Sequence, residues 1–111
     1  METKGRTAVI TGGASGIGAA LAEAMVADGG RVVIVDINKD AAEAHAARLG
    51  DAALAIACNV ADVAGVEAMA GEAWNWLGGV DLVFANAGVS VARPLMKASE
   101  AEFDVTMGVN L

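Results

Sequence analysis

At 111 residues, with 56% hydrophobic residues and 14 glycines, the chain has the length of one domain and the composition of a folded one, not a disordered one. Its formal net charge of −7 argues against nucleic-acid and anionic-membrane partners, and no apolar run reaches the roughly 20 residues of a membrane span. A single cysteine and a single histidine provide neither an internal disulfide nor a metal cluster at ligand spacing; with no signal-like apolar core at Met1 to Arg6, a reducing, cytoplasmic setting is expected.

The first unit reads as strand, glycine turn, helix. Thr7-Ala8-Val9-Ile10 leads into Thr11-Gly12-Gly13-Ala14-Ser15-Gly16-Ile17-Gly18. Ile17, Leu21, Ala24 and Met25 then follow helical spacing, and Gly29-Gly30 ends the helix. Arg31 to Asp36 is a strand, and its unbroken β-branched run suits a parallel strand buried on both faces. Lys39 to Leu49 is an Ala-rich helix closed by Gly50, with His45 expected on its solvated side. Ala52 to Cys58 reads as a third strand and Cys58 as a buried strand thiol. The loop that follows offers Asp62 as a helix cap. Val66, Met69, Ala70, Ala73 and Leu77 form the apolar stripe of the next helix, on which Trp74 and Trp76 are packing residues. Gly78-Gly79 stops it. Val80 to Ala85 is a fourth strand, followed by the turn Asn86-Ala87-Gly88. Ser90 to Lys97 reads as irregular, contains Pro94, and places Arg93 on the surface. A last helix starts at Ser99-Glu100-Ala101-Glu102 and runs through Phe103, Val105 and Met107 to Asn110 and Leu111 without a stop signal.

Alternating strands and helices imply an α/β fold: a Rossmann-like, doubly wound parallel sheet of about four strands in the order 3-2-1-4, with flanking helices. Its ligand crevice is expected between strands 1 and 4, at their carboxyl ends. A glycine turn between strand and helix presents backbone N–H groups and a helix N-terminus to an anion, and a nucleotide pyrophosphate is the ligand it suggests. The spacing of Gly12, Gly16 and Gly18 is G-x-x-x-G-x-G rather than G-x-G-x-x-G. The physical requirement is the same, because no side chain can stand between backbone and pyrophosphate. Asp36 lies at the end of strand 2, about 20 residues past the glycines, where a ribose-binding acid is expected. A carboxylate accepts from ribose hydroxyls and repels a 2′-phosphate. Ile37 and Asn38 follow it, with no Arg, which favours NAD over NADP.

Thr11-Gly12-x-x-x-Gly16-Ile17-Gly18, Asp36, Asn59-Val60, Asn86-Ala87-Gly88 and Asn110 fall in order and at the spacings of the short-chain dehydrogenase/reductase family, which the whole chain resembles. The resemblance implies a Rossmann fold, NAD(P) binding and oxidoreduction of an alcohol or carbonyl. It implies that Gly12, Ser15, Gly16, Ile17 and Gly18 line the pyrophosphate turn and that Asp36 holds the adenosine ribose, with Ile37 against the adenine. Asn59 and Val60 would flank the adenine ring, Asn59 standing where the family usually has Asp. Asn86, Ala87 and Gly88 would support the sheet beside the cofactor, preceded by Ala85 where the family often has a second Asn. Asn110 corresponds to the family's catalytic Asn, which holds a proton-relay water.

The family's Tyr-x-x-x-Lys pair has no counterpart, since the chain contains no tyrosine, and Lys4, Lys39 and Lys97 lie outside such a motif. Residues 1–111 are therefore expected to be the cofactor-binding half of such an enzyme, truncated before its catalytic segment and inactive alone. Two other classes remain open: a non-catalytic nucleotide-binding module, and an assembly protein using an open sheet edge at Val80 to Ala85. The expected partners are a small-molecule dinucleotide and either further copies of the chain or a complementing C-terminal half.

Overall fold

Residues 32–35 are β-branched without interruption, and all are fully buried. They form the middle of β2 (Arg31–Asp36), which lies between β1 (Thr7–Thr11) and β3 (Ala53–Ala57) and is parallel to both. The computed structural model describes residues 5–14, 16–59 and 61–85, and the backbone of 88–91. Ala8, Ile10, Val32, Ile34, Leu82 and Phe84 pack on one face of the sheet with α1 (Gly16–Ala27) and α2 (Lys39–Leu49). Val9, Val33, Val35 and Val83 pack on the other with α3 (Val63–Leu77). A period-2 strand covered on both sides has no polar face, which is why β2 reads as continuous hydrophobicity.

The sheet order is β3-β2-β1-β4-β5, with β4 at Leu82–Ala85 and β5 at Gly88–Val91. The first four strands are parallel, in the expected order 3-2-1-4. The fifth corrects the expectation of an open edge at Val80 to Ala85 and of an irregular path from Ser90. It pairs antiparallel with β4, Ala85 opposite Gly88 and Leu82 opposite Val91. The backbone N–H and C=O groups of β4 that an edge would leave bare are thereby paired. Gly88-Val89-Ser90-Val91 carries the alternation of a strand, but over four residues, too short a signal to separate from loop.

The helix stripes test periodicity individually. In α3 the five expected positions, Val66, Met69, Ala70, Ala73 and Leu77, are all buried. Trp74 and Trp76 pack partly buried against the same cluster. In α1 the buried residues are Ala22 and Met25, whereas Ile17 and Ala24 are exposed, a correction to the expected stripe. Apolar residues surround α1, so spacing alone does not single out one face. Asp62 occupies the cap position of α3 without a side-chain cap bond. The turn before it is held by Asn59, whose Oδ1 accepts from Ala61 N–H at 3.0 Å.

His45 is not solvated: it is 1% exposed, on the side of α2 that meets α1. Its Nε2 lies 3.2 Å from the Ala19 carbonyl, and Arg48 Nη2 lies 2.6 Å from its Nδ1. A carbonyl only accepts and a guanidinium only donates, so both contacts are satisfied by the Nε2–H tautomer. Small residues on the facing sides, Ala22 and Ala42 among them, let the two helices approach closely enough for the ring to bridge them.

The amino ends of the strands are clasped by side chains. Thr7 N–H donates to Asp81 Oδ2 at 3.0 Å, Asp81 N–H donates to Thr7 Oγ1 at 3.0 Å, and that hydroxyl donates to Gly79 O at 2.8 Å. Arg31 stacks on Trp76, its Cζ 4.1 Å from the ring centroid, and donates to the Trp76 carbonyl at 3.0 Å.

Candidate functional site

At the carboxyl end of β1 the chain leaves the sheet through glycines that do different work. Gly12 has φ +65°, where side chains are strained. Gly13 is buried and donates to Val35 O at 3.2 Å. A Cβ there would lie 2.9 Å from Ile10 O and 3.0 Å from Ile34 Cγ2. Gly13 is a structural glycine that the spacing argument passed over; its signal is its place directly after a buried strand. A Cβ on Gly18 would stand 2.4 Å from the carbonyl oxygen of Gly12, so the turn and the first turn of α1 touch through bare backbone. Gly16 is the opposite case: φ is +59°, and an added Cβ would meet nothing within 4 Å. Open space therefore stands beside the first N–H groups of α1, whose first turn contains no acidic residue. Those groups and the helix dipole suit an anion.

Asp36 closes the other side. Its carboxylate is half-buried at the end of β2. Oδ1 accepts from Asn38 N–H at 3.0 Å, and Oδ2 accepts from Ala14 N–H, in the glycine turn, at 3.3 Å. Cys58 N–H donates to the Asp36 carbonyl at 3.1 Å, which brings the end of β3 alongside. Asn59 is exposed there, and its Oδ1 is engaged by Ala61. Burial first, and the Asp62 carboxylate second, push the Cys58 thiol above its ordinary range, so it stays protonated and is no nucleophile at neutral pH.

Among the described residues the exposed large hydrophobics are Ile17 at 83%, Ile37 at 71% and Val63 at 73%. Each follows the carboxyl end of a strand: Ile17 after β1, Ile37 directly after β2, Val63 after β3. Apolar side chains bare at this one end of the sheet, around the carboxylate and the open helix terminus, make a surface for an aromatic or sugar group beside an anion. Gly12, Gly16, Ile17 and Gly18 follow the carboxyl end of β1, and Asp36 and Ile37 stand at and directly after that of β2, so the structure places all six at the same end of the sheet. Gly88 opens β5 opposite Ala85. Ser15, Val60, Asn86, Ala87 and Asn110 lie outside the described residues, as do Arg93, Phe103 and Met107. No helix among the described residues is long and apolar enough to cross a membrane.

Comparison with known proteins gives a consistent picture. The family model for short chain dehydrogenase matches residues 6–111. The sorbitol dehydrogenase of Cereibacter sphaeroides is 40% identical over 111 residues, which are 100% of this chain and 43% of that protein. The D-threitol dehydrogenase of Mycolicibacterium smegmatis is 42% identical over 110 residues, 96% of this chain and 42% of its own length. A solved structure of 3-ketoacyl-(acyl-carrier-protein) reductase from Brucella melitensis, complexed with NADH, superposes with a TM-score of 0.74 at 30% identity, covering 97% of this chain and 49% of that one. The chain thus spans less than half the length of these relatives.

Proposed function

Because the chain belongs to the short-chain dehydrogenase family, whose members bind NAD(P), we propose that it holds the adenosine and pyrophosphate of NAD, in preference to NADP, at the carboxyl end of its sheet. In this reading Gly12, Ser15, Gly16, Ile17 and Gly18 surround the pyrophosphate. Asp36 takes the adenosine ribose, and Ile37, Asn59 and Val60 enclose the adenine. Asn86, Ala87 and Gly88 back the site, and Asn110 is the catalytic asparagine. One observation carries the reading: the Asp36 carboxylate reaches the glycine turn, its Oδ2 3.3 Å from Ala14 N. A ribose held by the acid thus has its phosphates beside the open N–H groups of α1, and a 2′-phosphate would meet like charge.

The bound dinucleotide supplies the hydride acceptor of an alcohol oxidation. Such a reaction also needs a group to take the hydroxyl proton. The family's Tyr-x-x-x-Lys pair, which serves there as the acid/base, has no counterpart in the chain, which contains no tyrosine, and in this reading the chain on its own binds without turnover. For the whole enzyme the proposed reaction is hydride transfer between NAD and an alcohol or carbonyl. The sorbitol and D-threitol dehydrogenases among its relatives make polyols the first substrate class to assay. The reading includes association with further copies of the chain or with a complementing C-terminal half, which sedimentation velocity measures.

Calorimetric titration with NAD, NADP and ADP-ribose tests the proposal. NAD binds tighter than NADP by about tenfold or more, the scale of a hydrogen bond to a charged group. ADP-ribose binds nearly as well as NAD, and no NADH forms from any alcohol. Asp36→Ala weakens NAD and narrows the gap to NADP. Tighter NADP than NAD in the unsubstituted chain, or sustained NADH production by it, overturns the reading.

A further inference from the structure

Asp36 makes two hydrogen bonds before any ligand is considered. Both donors are backbone N–H groups, and they belong to different turns: Ala14 in the glycine turn after β1 and Asn38 in the turn after β2. Ala14 is two residues before Gly16, the first residue of α1, and Asn38 is the N-cap of α2, its side chain accepting from Ala41 N–H at 3.0 Å. One carboxylate therefore ties together the entries of two helices. The glycine turn needs such a tie. Gly12 and Gly16 both have positive φ and lack side chains, so neither holds its own backbone conformation through side-chain contacts. A backbone anchor, Gly13 N–H to Val35 O at 3.2 Å, lies one residue before the Ala14 bond.

We infer that Asp36 is a positioning residue for the glycine turn as well as an acceptor for ribose: it fixes the free chain's anion-binding turn in the conformation a pyrophosphate requires. Each carboxylate oxygen has two lone-pair directions, so Oδ1 and Oδ2 each hold one backbone N–H and keep one direction for a ligand hydroxyl. Replacement of the acid then weakens ligands that never touch it through ribose, because the ordering cost it carried falls on binding. The inference rests on the nucleotide-binding reading for its ligand arm and is independent of it in its exchange arm.

The exchange arm is amide hydrogen exchange by NMR on the free 111-residue chain and on Asp36→Ala and Asp36→Asn. Ala14 and Asn38 amides exchange about tenfold or more faster in D36A, while Val9 and Val33 in the sheet stay protected and report an intact fold. D36N keeps one acceptor oxygen, so one of the two amides stays protected while the other exchanges faster, and it carries the test where D36A does not fold. The ligand arm compares ADP with 2′,3′-dideoxy-ADP, which has no ribose hydroxyls. D36A binds dideoxy-ADP about tenfold more weakly than the unsubstituted chain does. Loss of a negative charge alone would strengthen an anion, so the sign separates positioning from electrostatics. Unchanged Ala14 exchange together with unchanged dideoxy-ADP affinity overturns the inference. Failure of the unsubstituted chain to bind ADP overturns the nucleotide reading instead and leaves the exchange arm to decide this one.

Discussion

Gly16 and Gly18 are two positions apart and face opposite constraints. An alanine at 18 puts Cβ 2.4 Å from Gly12 O, a backbone atom that cannot step aside without moving the turn. Gly18→Ala should destabilise the fold by about 1–3 kcal/mol, as overpacking does, and show a lowered denaturation midpoint. Gly16→Ala meets open space and carries only the left-handed backbone penalty of roughly 1–2 kcal/mol. Its larger effect should be on ADP affinity, since its Cβ projects into space left open beside the helix N-terminus. The spacing of glycines is legible in the sequence; which one is steric and which one lines a site is not, because that depends on the atoms across the turn. Cys58 supplies a pH prediction. Its folded-state pKa lies above the ordinary thiol value of 9.0, so the thiol's contribution to stability is intact below that pH and is lost as pH rises from there through the folded pKa. Denaturation midpoints from pH 8 to 10.5 should fall more steeply for the unsubstituted chain than for Cys58→Ala.

Elements differ in how openly they declare themselves. In α3, polar and apolar residues alternate with the helix period, and the stripe of Val66, Met69, Ala70, Ala73 and Leu77 is buried as read. In α1, GIGAALAEAMVA is apolar on every side, so Ile17 reads as core although the structure exposes it. In α2 the error runs the other way. His45 sits among alanines and reads as surface, yet it joins α2 to α1 through Ala19 O and Arg48. Nothing in a single helix's pattern announces a contact whose partner is another helix. His45→Ala removes a buried ring and leaves the Arg48 guanidinium without this acceptor. A loss of about 2–4 kcal/mol in unfolding free energy is expected from cavity and hydrogen-bond terms together. His45→Gln, which keeps a donor and an acceptor, should recover part of it.

At the scale of the molecule, the parallel order 3-2-1-4 follows from the alternation of strands and helices, and is legible in the sequence. The antiparallel β5 was not, since two valines in four residues do not outweigh a neighbouring glycine turn. The site joins segments from across the fold, so a ligand there should stabilise all of it. At a hundred times its dissociation constant, ADP should add about 2.7 kcal/mol and raise Tm by roughly 10 °C for a domain of this size. A scan in which ADP sharpens only part of the transition would mean that the sheet and its site unfold separately.

The alternation along β2 has the character of a phase. Val33 and Val35 serve the layer built on α3, while Val32 and Ile34 serve the layer built on α1 and α2. Insertion of one residue ahead of Val32 would send each of these side chains to the opposite layer at once, and β1 and β3, locked to β2 residue by residue, could follow only by breaking register. Exchange of one valine for isoleucine is a local disturbance; a shift of phase reaches both helical layers. Changes of chain length are therefore confined to places where no phase is carried, such as the short 3-10 turn Gly50–Ala52 between α2 and β3, where one more residue lengthens a bend and leaves every strand on its own count.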